Sequence, residues 1–287
     1  MHFKDAKGIL SATNGTNFYR GCTHGCIYCD SRSLCYNMQH DFEDIEVKRN
    51  APELLDAALV KKREKCMIST GAMTDPYLHA EEELLITRRC LEVIERHSFG
   101  LAIQTKSSRC LRDLDLFKSI HKKAKCVVEM TLTTYDEALC KIVEPHVSST
   151  RERFDTLMTL KENSIPTVVW LSPFLPFLND TEENVRGLLD YCIRAGVKGI
   201  LCFDIGMTLR DGNREYYYQM LDRHFPSFKE KYIKTYGDSY VVTSASGSHL
   251  MTLIHKTCEE HGILYGVETV FHYLHTLEPK SEQMRLF

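Results

Sequence analysis

The sequence predicts an α/β fold built on a parallel sheet, and three observations carry that prediction. Short, nearly continuous apolar runs recur at residues 65–70, 100–105, 125–132, 167–172 and 198–203. Longer stretches separate them, at 81–96, 111–123, 150–163 and 181–195, with apolar residues spaced three and four apart. Several strand runs also end in small or polar residues that lead into the next helix. Strands that are apolar throughout and alternate with amphipathic helices form a parallel sheet covered on both faces or closed into a barrel. In either form ligands bind at the carboxyl ends of the strands.

Taken in order, a first strand is expected near residues 16–20, giving about six β/α units in all. In the helix expected at 81–96, Leu84, Leu85, Cys90, Leu91 and Ile94 share one face. After Phe203 the alternation stops, and residues 213–225 and 246–261 read as helices. A core over 1–205 and a mostly helical C-terminal extension over 206–287 follow. Tyr216-Tyr217-Tyr218, near Arg210 and Arg214, either covers an open side of the core or stacks bases beside a phosphate-binding rim.

Composition narrows the function. The 287 residues are 43% hydrophobic, enough for a sizeable core, and their net charge of −3 excludes a generic polyanion binder. The N-terminus lacks an apolar signal core. The longest apolar stretch, 167–178, is too short to span a bilayer and is interrupted by Pro173 and Pro176, so no membrane association is expected. The twelve cysteines therefore read as reduced thiols of a cytoplasmic protein, where a cluster of them points to metal binding or catalysis.

Such a cluster exists. Cys22, Cys26 and Cys29 lie in Arg20-Gly21-Cys22-Thr23-His24-Gly25-Cys26-Ile27-Tyr28-Cys29, a C-x3-C-x2-C spacing. Gly21 and Gly25 let the backbone turn tightly around one compact centre. Zinc would call for a fourth ligand, whereas an iron–sulfur cluster on three thiolates leaves one iron open to a chelating ligand. A zinc knot and three unrelated core thiols are the plainer readings.

This run resembles the signature of the radical S-adenosylmethionine (SAM) superfamily. Further runs are similar to the branch related to spore photoproduct lyase: Asn17-Phe18-Tyr19-Arg20, Gly71-Ala72-Met73-Thr74-Asp75-Pro76-Tyr77, Thr105-Lys106-Ser107, Arg112-Asp113-Leu114-Asp115, Glu144-Pro145 and Pro173-Phe174-Leu175-Pro176. The resemblance covers residues 10–205 and implies a partial (β/α)6 TIM-type barrel. It implies a [4Fe-4S] cluster on Cys22, Cys26 and Cys29, and reductive cleavage of SAM to a 5′-deoxyadenosyl radical that abstracts hydrogen from a substrate. It places Tyr28 beside the adenine, Thr74 against SAM, and Lys106 near the SAM carboxylate. Thr131 and Thr133 would face the ribose or methionine part, and Ser172 and Pro173 would border the adenine. Plainer roles are a solvated loop position for Lys106, packing for one of the two threonines, and a helix cap or turn for Asp75.

The sequence departs from spore photoproduct lyase at Ala72, where that enzyme carries a hydrogen-donating cysteine. An alanine has no thiol hydrogen to return, which puts direct thymine-dimer reversal in doubt. Cys35 is the candidate substitute donor, with a small buried hydrophobe as its alternative. An electron donor such as flavodoxin or ferredoxin is implied, and a nucleic-acid substrate is expected by analogy. The C-terminal Gln283-Met284-Arg285-Leu286-Phe287 resembles peptides that dock on the DNA sliding clamp. A non-catalytic, metal- or cluster-bearing adaptor using that tail is the alternative function.

Overall fold

The computed structural model describes residues 1–277. Its central sheet has six parallel strands: β1 (Gly15–Thr16), β2 (Met67–Thr70), β3 (Gly100–Thr105), β4 (Cys126–Thr131), β5 (Thr167–Trp170) and β6 (Gly199–Leu201). They hydrogen-bond in chain order. Helices Ile86–Arg96, Leu114–Lys123, Thr150–Glu162 and Glu182–Ala195 make the crossovers. Sequential order with right-handed crossovers lays these helices on one face of the sheet. There Ile68, Leu101, Ile103, Val128 and Val169 join Leu91, Ile94, Phe117, Leu157 and Leu188 in the main core.

Successive side chains of a strand point to opposite faces, so the alternate residues form a second layer. It holds Met67, Ala102, Val127, Val168 and Leu201, one from each of five strands, packed with Val270 and Leu274 of helix Val267–His275. Its carboxyl-terminal half carries Gln104, Thr131 and Trp170 and is left to the site.

Three local expectations are corrected. The single strand expected at 16–20 is two: β1 pairs with β2, whereas Tyr19–Arg20 pairs antiparallel with Glu46–Lys48, which also pairs with His2–Lys4. Phe18 and Tyr19 are both buried, so their continuous apolarity concealed the change of partner. The helix at 81–96 breaks at Leu85, whose backbone is left-handed (φ 53°). The buried Glu81 carboxylate explains the break by accepting from the Thr87 and Arg88 N–H groups and capping the second segment. Helix 111–123 begins as a 3-10 turn, Ser108–Asp113, before Leu114–Lys123.

The C-terminal region contains Asn213–His224, Phe228–Tyr236, Gly247–His261 and Val267–His275, together with an unanticipated antiparallel pair, Gly206–Thr208 and Val241–Thr243. Helices Ala51–Val60, Glu137–Val143, Phe228–Tyr236 and Val267–His275 were not anticipated either. The middle of the tyrosine run packs inward: Tyr217 and Tyr232 are buried, hydroxyl to hydroxyl at 2.9 Å, in a second core with Ile27, Tyr28 and Leu175. Arg214 donates to the Leu209 and Asp238 carbonyls, and Arg210 donates to the Tyr240 hydroxyl. Among the described residues no helix is long and apolar enough to cross a membrane. The clamp-like peptide at 283–287 lies outside them.

Candidate active site

The three-cysteine loop is tied to two other segments, one at Phe42 and one at 143–146. Cys22 N–H donates to the Phe42 carbonyl at 2.9 Å, Ile27 N–H to Val143 at 3.0 Å, and His146 N–H to His24 at 3.1 Å. Gly21 has φ +84°, and a β-carbon there would stand 2.5 Å from the Phe42 carbonyl oxygen, so no other residue allows this approach. The loop is thereby held over the carboxyl ends of β2, β3 and β4.

Two cavities meet there. One is bounded by Cys22, Cys26 and Cys29 together with Thr74, Thr105 and Thr131. The larger, of about 370 Å³, extends to Ser172, Pro173, Phe203, Asp204, Met207 and Thr208. Tyr28, Cys29, Ser31, Ala72, Gln104 and Lys106 line both. A compact thiol-rich chamber thus opens into a roomier cleft at the strand ends.

The donor set fits an iron–sulfur cluster. Burial pushes the Cys22 thiol up to about 12, with the Cys29 sulfur adding to the rise, and drives Cys26 well above its usual range. Coordination demands thiolates, and a bound cation repays that desolvation. Gly71, at φ +102°, lets the chain after β2 press against β3: a β-carbon there would lie 2.0 Å from the Gln104 carbonyl oxygen. Cys22, Cys26 and Cys29 could hold an iron–sulfur cluster in this chamber.

Lys106 is half-buried at the shared wall. Burial works against its charge, but Cys26, Glu144 and Asp75 outweigh it and hold the ammonium above the ordinary lysine range. Its backbone N–H donates to Asp75 Oδ2 at 2.7 Å. Asp75 Oδ1 accepts from Tyr77 N–H and the Thr105 hydroxyl, both at 2.8 Å. Asp75 therefore shapes its own turn and fastens it to β3, and does not cap the following helix. Its second oxygen faces His24 Nδ1 at 3.5 Å; burial holds that buried imidazole below its usual range against the pull of Asp75.

Tyr28 is positioned by a buried relay. Its hydroxyl donates to Glu144, which Arg153 clasps from the other side while donating to the Thr131 carbonyl at 2.8 Å. Burial opposes the Glu144 charge, but Arg153 and then Lys106 hold its carboxyl below the usual range. This pair links the cysteine loop to the end of β4.

The expected site residues divide as follows. Tyr28, Thr74, Lys106, Thr131, Ser172 and Pro173 line the cavities with the three cysteines. Thr133 is buried, and its carbonyl accepts from Asn179 and Asn184. Cys35 is exposed beside Arg210 at 3.3 Å and lines neither cavity. Sequence reasoning missed Gln104 and Trp170, although a lone amide in an apolar strand and the single tryptophan were both visible signals. Phe203 and Asp204, just beyond a strand end, carried no comparable mark.

A radical SAM protein is the class that this loop, on this sheet, defines. The Radical SAM superfamily family model matches residues 16–192, more than half of the chain, and the chain belongs to that superfamily. Its cofactors are a [4Fe-4S] cluster and SAM. An uncharacterised protein of Methanocaldococcus jannaschii is 35% identical over 168 residues, 58% of this chain and 62% of that protein. One from Mycobacterium tuberculosis is 28% identical over 228 residues, 77% of this chain and 66% of that protein. The chain thus spans less than two thirds of the length of these relatives. Among solved structures, spore photoproduct lyase with bound AdoMet and dinucleoside spore photoproduct aligns with a TM-score of 0.59 at 15% identity, covering 85% of this chain and 73% of that one. A second structure, spore photoproduct lyase complexed with dinucleoside spore photoproduct, gives 0.62 at 14%, covering 85% and 72%. At such identities the likeness is one of fold.

Proposed function

We propose that this protein cleaves SAM reductively and uses the product to take hydrogen from an organic substrate held in the larger cavity. The observation that carries this reading is the shared wall: Cys29, Tyr28 and Lys106 border both the thiol chamber and the cleft. When bound, the cluster and SAM supply a 5′-deoxyadenosyl radical, and the protein supplies orientation and a dry pocket. Cys22, Cys26 and Cys29 hold the cluster, and Lys106 meets the SAM carboxylate with a charge that its neighbours keep in place. Tyr28, fixed by Glu144, borders the adenine with Ser172 and Pro173, while Thr74 and Thr131 line the remaining contact. Thr133 acts behind Thr131 by holding Asn179 and Asn184.

The sequential sheet, with its crossover helices on one face, curls in this reading into a partial (β/α)6 barrel over residues 1–205, and residues 206–277 close it. A low-potential reductant such as flavodoxin or ferredoxin supplies the electron. A nucleic-acid lesion is the first substrate class to try, because the similar solved fold carries a dinucleoside. Ala72 lines both cavities and lacks a thiol hydrogen, so the hydrogen donor differs from that enzyme's. Sliding-clamp docking through Gln283–Phe287 is tested by deleting those residues.

The decisive experiment uses anaerobically reconstituted protein, dithionite and SAM. Wild type yields 5′-deoxyadenosine, and Cys26→Ala, folded but without cluster, yields none. Undiminished cleavage in Cys26→Ala overturns the site. A cluster whose EPR spectrum ignores SAM overturns the reading as a whole.

A further inference from the structure

Outside the lining of both cavities, His2, His40 and Asp44 each offer one ligand atom, all within 4.8 Å of one another. His40 is held by the nitrogen that would not serve a metal, while His2 Nδ1 and Asp44 already face each other. His2 Nδ1 lies 2.8 Å from Asp44 Oδ2, and His40 Nδ1 lies 2.9 Å from the Asp41 carbonyl oxygen. A carbonyl accepts only, so His40 Nδ1 carries the proton and Nε2 carries the lone pair. That Nε2 is buried without a hydrogen-bond partner among the described residues. Both Nε2 atoms instead stand 4.0 Å from the same atom, Glu46 Oε2, which Lys4 approaches at 3.0 Å. Two imidazoles and the Asp44 carboxylate thus converge beside Glu46, with Lys4, Lys48 and the Met1 amino group, 2.6 Å from Asp44 Oδ1, among the nearby cations.

We propose that His2, His40 and Asp44, backed by Glu46, bind a divalent transition-metal ion of the zinc class, separate from the iron–sulfur site. Two imidazoles with a carboxylate suit such an ion better than calcium or magnesium, which take oxygen ligands. Tetrahedral zinc holds its ligand atoms about 3.3 Å apart, so the present spacing needs only a modest side-chain contraction. The Asp41 carbonyl on the outer nitrogen of His40 is the usual kind of support for a metal-bound imidazole. The side chains are partly exposed, with His2 at 40% and His40 at 16%, which leaves an entry path.

The ion would staple strand His2–Lys4 to the segment returning from the cysteine loop. Phe42, between His40 and Asp44, is the residue whose carbonyl holds the Cys22 N–H. The site would therefore brace the loop without touching the cluster.

Untagged, cluster-loaded protein titrated with ZnCl2 against a chromophoric chelator tests this. One zinc per chain is expected, with zinc X-ray absorption showing a nitrogen and oxygen shell and no sulfur. His40→Ala and Asp44→Asn should weaken zinc at least tenfold while iron per chain stays unchanged, which separates this result from any failure at the cysteines. No stoichiometric zinc, a sulfur shell, or equal affinity in both variants would overturn the proposal.

Discussion

Glu129 is a buried carboxyl whose surroundings constrain its ionisation. It sits in the middle of β4, 5% exposed, and its carboxylate accepts from Trp170 Nε1 at 2.6 Å. Burial raises its pKa to about 7, with the indole hydrogen bond opposing. The folded protein therefore binds a proton that the unfolded chain has already released above its ordinary value of 4.5. The stability gained from that proton is full below pH 4.5 and drains away as the pH rises through about 7. The shift of some 2.5 pH units corresponds to roughly 3 kcal/mol. Glu129→Gln, which resembles the protonated form and still accepts from Trp170, should abolish this loss. Melting curves of cluster-loaded wild type and variant should converge near pH 5 and separate by pH 8, with the variant higher. Parallel curves across that range would mean that Glu129 is solvated or otherwise paired.

At the scale of elements, the relay from Tyr28 through Glu144 to Arg153 joins the cysteine loop, helix Glu137–Val143 and helix Thr150–Glu162. Arg153 and Glu144 are both fully buried, so removing one partner strands a charge. Arg153→Met should cost about 3–5 kcal/mol in denaturant unfolding at neutral pH and lower the iron retained by the loop. The double change Glu144→Gln with Arg153→Met removes the stranded charge and should recover part of that stability. A double variant no better than the single one would assign the cost to packing. The same elements show what a sequence discloses. Strand β3 was legible to the residue because its apolar run ends sharply at Thr105-Lys106, and the cysteine spacing announced the loop. The Glu144-Pro145 pair was visible too, but its partner Arg153 looked like any other charged residue of an amphipathic helix. The break at Leu85 was hidden for a related reason: it depends on where the Glu81 carboxylate points, and helical spacing carries no trace of that.

Across the whole molecule, the C-terminal chain completes the core. The sheet's second face is divided between a cavity at the carboxyl ends and an apolar layer beneath it, and helix Val267–His275 seals that layer. Val270 and Leu274 are buried against one residue from each of five strands. Lys125, at the start of β4, donates to the Thr276 carbonyl at 3.1 Å and fastens the helix end. A helix with so few residues is marginal alone and takes its stability from this packing. Leu274→Ala should therefore cost about 2–4 kcal/mol, the range for emptying a packed leucine site. Glu268→Ala, exposed on the same helix, should stay within about 0.5 kcal/mol of wild type. The loss should be read by every probe of the core at once, iron retention included, because the floor of the layer above is the floor of the cavity. A Leu274→Ala protein as stable as Glu268→Ala would mean that the helix leaves the sheet in solution and that the core closes without it.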